Sequence, residues 1–149
     1  MTAIAGKTDV AENALLLLLF NNTPITLVGD AAGILGSVTA GSLYLSLHTA
    51  DPTEEGNQQN SEIAYTGYAR AAVPRAAGGF TVALSTVTLT AAVPFPPGTG
   101  GTGTATHFGV GTSSTGAGKL LYAGAIAVPI VCGNTITPSL GTGTSITEG

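Results

Sequence analysis

The chain has 149 residues, a length that fits a single domain, and 44% of them are hydrophobic, which excludes a disordered composition. Only 8% are charged, against about 25% in ordinary soluble domains, and a surface this poor in charge favours a subunit that neighbours cover. The net charge is −4 and only four residues are Lys or Arg, so the basic patch that nucleic acids or anionic membranes bind is excluded.

The first predicted element is an α-helix, because residues 14–20 read Ala-Leu-Leu-Leu-Leu-Leu-Phe. This run is shorter than the roughly 20 residues that a transmembrane helix needs. Asp9 and Glu12 precede it, whereas a secretion signal begins with basic residues, so a targeting segment is disfavoured. Asp9 is expected to cap the helix, with Glu12 three residues later as in a capping box. Asn21 and Asn22 are expected to end it.

The leucine run also makes a prediction about burial. Leucine occupies every side of this helix, so the helix is expected to be buried all round. A small domain rarely encloses a helix completely. We therefore expect part of the helix, with Leu16 and Leu17, to pack against a partner subunit.

The pattern turns to β after Pro24, and the first strand is predicted from residue 43. Residues 43–49 alternate between leucine and other side chains, which indicates a half-buried strand with its leucines on one face. Asp51 and Pro52 end the strand, because proline lacks the backbone N–H that a sheet needs. The polar segment 53–63 contains Glu54 and Glu55 and is long for a hairpin, so we expect a mobile loop or a contact loop.

Further short strands are predicted between Gly- and Pro-rich turns, at residues 68–73, 80–84, 87–93, 104–110, 120–126, 128–131 and 135–140. No helical pattern separates them. The predicted fold is mainly β: an antiparallel β-sandwich, jelly-roll-like, with one short N-terminal α-helix. The predicted organisation is one domain (1–149), with an N-terminal arm and helix (1–22), a sandwich (43–140) and a loose C-terminal tail (141–149).

Two Gly-rich segments look like phosphate-binding motifs but lack the context that such motifs need. Residues 98–103 match G-x-G-x-x-G, yet a strand-like segment follows where a helix is required. In residues 111–120, Lys119 comes two positions late for a phosphate loop, and Leu120 replaces the hydroxyl that would hold magnesium. We expect both segments to be loops and no cofactor to bind.

The remaining reactive side chains predict no enzyme and no metal site. His48 and His107 lie in predicted strands and are expected to make structural hydrogen bonds. The acids around residues 51–62 lack the spacing of a calcium loop. Cys132 is the single cysteine and lies in an apolar run, which favours a small buried side chain over a reactive thiol.

Four segments carry a resemblance to a known family. Residues 43–52 read Leu-Tyr-Leu-Ser-Leu-His-Thr-Ala-Asp-Pro and residues 66–70 read Thr-Gly-Tyr-Ala-Arg. Thr-His-Phe-Gly-Val follows at 106–110, and Leu-Leu-Tyr-Ala-Gly-Ala-Ile at 120–126. In this order after a short helix, they resemble small virion structural proteins of tailed bacteriophages. Members of that family often carry a Trp before the third segment, and this chain has none.

The resemblance implies a non-enzymatic virion protein that is made in the host cytoplasm. The favoured interpretation is a capsid cement or decoration protein on the capsid exterior. It would clamp subunits of the major capsid protein, as a dimer or a trimer, and modest contacts would add up over the lattice. The alternatives are a tail- or fibre-associated subunit and a carbohydrate-binding sandwich for host attachment. Tyr65 near Asn57 and Asn60 is the one hint of a sugar site.

Contact residues are predicted in the N-terminal helix, in the polar loop and just after that loop. Tyr and Arg are enriched among the residues that dominate binding energy, so the tyrosines and the arginine of residues 65–70 are candidate anchors. The alternative is that both tyrosines pack inside the sandwich. The candidate set is Leu16, Leu17, Asp51, Glu54, Glu55, Tyr65, Tyr68 and Arg70.

Overall fold

A computed structural model describes residues 5–149 and confirms the predicted class, a mainly β chain with antiparallel sheets and one short helix. Residues 1–4 of the predicted arm lie outside the described part. The elements in chain order are α1 (Asp9–Asn21), β1 (Ser42–His48), β2 (Ala71–Pro74), β3 (Phe80–Ala83), β4 (Thr86–Leu89), β5 (Val93–Pro94), β6 (Thr102–Gly111), β7 (Leu120–Gly133), β8 (Ser139–Leu140) and β9 (Ser145–Thr147).

The core lies between two antiparallel sheets. The larger sheet has the strand order β2-β1-β6-β7, and the smaller has the order β3-β4-β9. In the larger sheet Leu45 pairs with Val110. These two side chains and Phe108 line a small internal space together with Phe80 and Val87 of the smaller sheet. A short β5-β8 pair completes the strands of the described residues.

Helix α1 differs from its prediction at its start and in its burial. Thr8 is the N-cap in place of Asp9, because the Thr8 hydroxyl accepts a hydrogen bond from the backbone N–H of Ala11 at 3.4 Å. Asn22 ends the helix in a left-handed conformation, as predicted. The helix is buried along one face rather than all round, because it packs mainly on β3 and β4.

Two long-range contacts fix the C-terminal end of α1. The ring of Phe20 lies 4.9 Å from that of Phe80 and 5.5 Å from that of Tyr122, so it joins the helix to both sheets. The last turn contains no basic residue, and Arg75 supplies the charge from the end of β2. Its guanidinium donates at 2.7 Å to the carbonyls of both Leu18 and Leu19, which have no partner inside the helix.

A protruding segment follows the helix, and we call residues 24–36 the finger. Backbone hydrogen bonds of 2.9 Å join Ile25 and Ile34 in both directions. At its root, the Asn22 side chain accepts from the N–H of Ser37 at 2.7 Å and donates to the carbonyl of Ser37 at 2.9 Å. Gly33 permits the tight bridge, since a Cβ there would lie 1.9 Å from the Ile25 carbonyl oxygen.

Strand β7 joins the two strands that the sequence predicts at 120–126 and 128–131. The break between them is a bulge, because Ala105 pairs with Ile130 whereas His107 pairs with Ala125. Several residues of β7 therefore lie opposite Thr106 alone, and Pro129 falls among them. Proline and bulges are typical of the edges of sheets, where they discourage pairing with other chains.

Residues 141–149, predicted as a loose tail, contain a paired strand in the structure. Residues of β9 pair with β4, with Ile146 opposite Val87, and Ile146 packs against the core. Beyond it, the carboxylate of Glu148 accepts a hydrogen bond from the Tyr122 hydroxyl and forms a 2.7 Å ion pair with Lys7. The Gly- and Thr-rich composition of this segment gives a weak strand signal, because Ile146 is its one large apolar residue.

We expect the Arg75→Met variant to be less stable than the parent by roughly 2–3 kcal/mol, because the last carbonyls of α1 lose a charged donor. Urea unfolding followed by circular dichroism measures the difference. The Lys119→Met variant is the matched control, since Lys119 is exposed on the loop between β6 and β7. Its free energy of unfolding should change by less than about 0.5 kcal/mol. Equal stability of the two variants would contradict the role of Arg75.

Candidate functional site

An apolar groove lies between the outer face of α1 and the finger. It encloses about 500 Å³. One acid, Asp9, lies on its rim, and its lining contains no basic residue. The lining residues are Asp9, Val10, Asn13, Ala14, Leu17, Pro24, Ile25, Thr26, Leu27 and Leu84.

Three large apolar side chains around this groove project into solvent. Val10 and Leu27 are each 80% exposed and Leu84 is 78% exposed. The finger adds Val28 and Ile34, which are about half exposed. A contiguous apolar surface of this kind on a folded chain marks an interaction site more often than scattered exposed residues do.

The backbone at two of these side chains is unusual. Leu27 has a φ of 67° and Leu84 a φ of 54°, in the left-handed region that bulky residues rarely adopt. Leu84 is the first residue of the two-residue turn between β3 and β4, a position where Gly or Asn is the ordinary choice. Each left-handed leucine costs about 1–2 kcal/mol. Burial within the chain does not offset that cost, because both side chains are largely exposed.

The elements around the groove are held by polar contacts. The Asn13 side chain donates to the carbonyl of Leu84 at 2.8 Å, which fixes the β3–β4 turn against α1. In the finger, the Asp30 carboxylate accepts from the backbone N–H groups of Ala32 and Gly33, each at 2.9 Å. The β3–β4 turn is thus fixed against α1, and the finger has a defined shape.

The predicted contact residues of the helix divide between the core and the groove. Leu16 is fully buried, so it stabilises the fold and cannot reach a partner in this conformation. Leu17 lies one position further round the helix and lines the groove. The sequence therefore places one of the two leucines at the candidate surface. It gives no sign of the finger that forms the other wall.

Arg70, a predicted anchor, lies inside the chain. Its side chain is 3% exposed and forms a two-pronged ion pair with Glu62, at 2.7 and 2.8 Å. It also donates to the carbonyls of Ser113 and Gly116, at 2.9 and 2.7 Å. The hydrogen bonds to Glu62 raise the pKa of Arg70 above its ordinary value. Arg70 thus joins the polar loop to the hairpin between β6 and β7.

The two predicted tyrosine anchors also make internal contacts. Tyr68 donates to Glu62 at 2.8 Å, and burial raises the pKa of its phenol far above the usual range. Tyr65 is buried and donates to the carbonyl of Pro96 at 2.6 Å. These contacts favour the packing interpretation for both side chains. The hint of a sugar site at Tyr65 disappears, because a buried ring offers no platform for a sugar.

The polar loop at 53–63 is fastened to the sandwich. The Gln58 side chain is buried and accepts from the N–H of Ser113 at 3.0 Å. Gly111 and Gly118 make room for it, since a Cβ at either would lie about 2 Å from Gln58 atoms. Asp51, Glu54 and Glu55 remain exposed, and the described residues contain no group of three or more potential metal ligands.

A buried Ser–His pair lies beneath this loop. The Ser46 hydroxyl is 2.8 Å from Nε2 of His48, and Nδ1 of His48 is 2.7 Å from the carbonyl oxygen of Asn60. Both side chains are fully buried, so this face of β1 is covered rather than half-exposed as predicted. Burial lowers the pKa of His48 below its ordinary value. A neutral ring that donates to Asn60 and accepts from Ser46 satisfies both contacts.

The model of a protein family described as "Podophage GP4 fiber I protein gp80" matches residues 6–144. No curated protein matches the chain. Within the described residues, no helix is both long enough and apolar enough to cross a membrane.

We expect the Arg70→Met variant to lose roughly 3–5 kcal/mol of stability, because it leaves Glu62 without its counter-ion in a mostly buried position. Urea unfolding measures the loss. The double variant Arg70→Met with Glu62→Met should be more stable than Arg70→Met alone, since it removes the uncompensated carboxylate. A double variant that is less stable than the single one would contradict this account.

Stability should also depend on pH through His48. The folded state resists protonation of this ring, whereas the unfolded chain binds a proton near pH 6.5. The contribution of His48 is therefore complete above about pH 6.5 and is lost as the pH falls toward the lowered folded value, by at most about 1.4 kcal/mol per pH unit. Urea unfolding between pH 7 and pH 5 tests this. The His48→Gln variant should show a smaller slope, and an unchanged slope would exclude His48 as its source.

Proposed function

The chain belongs to this podophage fibre-protein family, and we propose that it is a structural subunit of a phage fibre, located on the virion and without catalytic activity. That it is a bacteriophage structural protein follows from the family. The fibre location is the specific part of the proposal. It is the alternative that the sequence left open beside the capsid cement interpretation.

The observation that carries the proposal is the extent of the family match, which takes in α1 and nearly all of the strands. The description of the family names a fibre protein and not a capsid cement protein. The fibre interpretation is therefore preferred to the cement interpretation.

The surface chemistry supports an assembled subunit. The chain has four basic residues, and three of them are engaged within the chain: Lys7 with Glu148, Arg70 with Glu62, and Arg75 with the end of α1. The outer surface is left with little charge, which makes it inexpensive to desolvate against another protein. An apolar groove with exposed leucines offers a place for such a contact.

The rigidity of the body supports the same role. The polar loop and the β6–β7 hairpin are joined to each other by Arg70 and Gln58, so the longest loop of the sandwich has fixed contacts. A rigid subunit loses little conformational entropy on assembly. Repetition of one contact along a particle then raises the overall affinity without any single strong interface.

We expect the purified, labelled chain to co-sediment saturably with phage tails that lack it and not with heads that lack it. An excess of unlabelled chain should displace the label, which controls for non-specific adsorption. Saturable binding to heads alone, with heads that then survive higher temperature, would refute the fibre proposal in favour of capsid cement. Binding to neither would also count against it.

A further inference from the structure

We propose that the groove between α1 and the finger binds the same groove surface of a second copy of this chain, so that two copies associate around a two-fold axis. The contact would be isologous, with Leu27 and Leu84 of each copy buried against the other. This inference concerns the chain alone and does not depend on where on the virion it lies.

The first argument comes from the two leucines. A left-handed backbone favours Gly or Asn, and an exposed position gives leucine no burial in return. Leucine at both positions is therefore unfavourable for the isolated chain. Burial in an interface removes the apolar surface from water and accounts for leucine at these two places.

The second argument is charge, which disfavours a strongly charged partner. The groove has one acid, Asp9, and no base. Asp9 lies in the first turn of α1, where the helix dipole favours a negative charge. An acidic or basic partner would find little complementary charge here. A second copy presents the same apolar and nearly neutral surface, so the contact brings together no strongly charged groups.

The third argument is shape and size. The surface has a concave part, the groove, and convex parts, the side chains of Leu27 and Leu84 that stand on its walls. A two-fold axis can set the convex parts of one copy against the concave part of the other. The exposed apolar side chains and the walls of the groove together offer part of the roughly 800 Å² that each partner contributes to an ordinary interface.

Another exposed apolar site fits a second copy less well. Val128 and Val131 lie on β7, the edge strand of the larger sheet. The bulge that contains Pro129 interrupts this edge and disturbs the regular row of backbone groups that another strand would need. Val128 is 77% exposed and has an ordinary backbone conformation, so it serves as the control position.

The test uses the double variant Leu27→Asn with Leu84→Asn and the control variant Val128→Asn. Sedimentation velocity over a range of concentrations gives the dissociation constant, and thermal unfolding of the dilute chain gives the stability of the monomer. The parent chain and the control should form dimers at about 100 µM, and the double variant should bind itself at least ~30-fold more weakly, as expected for the loss of a hot spot. The melting temperature of the dilute double variant should be higher than that of the parent, because Asn tolerates the left-handed backbone.

Two results would overturn the proposal. A parent chain that stays monomeric at this concentration would show that a second copy does not bind the groove. A double variant that still dimerises like the parent would place the contact elsewhere. If the parent is monomeric and the double variant also fails to co-sediment with tails, the groove binds a different virion protein and the fibre proposal stands. If the parent dimerises but binds no tails, the fibre proposal fails and this one holds.

Discussion

The candidate surface depends on how Arg75 holds the end of helix α1. Its guanidinium binds the carbonyls of Leu18 and Leu19, and it also donates to the carbonyl of Ala40 at 2.9 Å and to the Ser37 hydroxyl at 3.2 Å. These contacts join the helix, the chain that returns from the finger, and the end of β2. Because Ser37 is also the residue that Asn22 clamps, the root of the finger and the end of the helix are fixed together. Both walls of the groove therefore have defined positions.

The internal contacts of the arginines also affect the charge of the molecular surface. Arg70 and Arg75 both donate to backbone carbonyls of other segments, so the two arginines of the chain hold its own elements together. A guanidinium suits this task because its donors are planar and several carbonyls can share it. The chain therefore has very little free positive charge at its surface. Contacts with other proteins at the groove, which carries a single acid, then depend mainly on apolar area and shape.

Local signals predicted the elements whose structure is set locally. The leucine run gave the helix, Asn22 its end, and the alternation at residues 43–49 gave β1. The errors share a different cause. Whether α1 is buried all round depends on which elements lie against it, and β9 depends on pairing with β4 across more than fifty residues. The finger has neither a helical nor a strand period. Its bridge and its Asx turn nevertheless give it a defined shape.

Residue type alone also failed to identify the candidate site. Tyr65, Tyr68 and Arg70 belong to the types that dominate interfaces, but those types also build interior hydrogen-bond networks, and burial alone tells the two uses apart. Leu27 and Leu84 are less typical of hot spots, yet their position carries more information. Both features lower the stability of the isolated chain: the apolar side chain is exposed to water, and the left-handed backbone disfavours leucine. Such a residue is best explained by a state in which the side chain is covered, as in the two-fold contact that we propose for the groove between α1 and the finger.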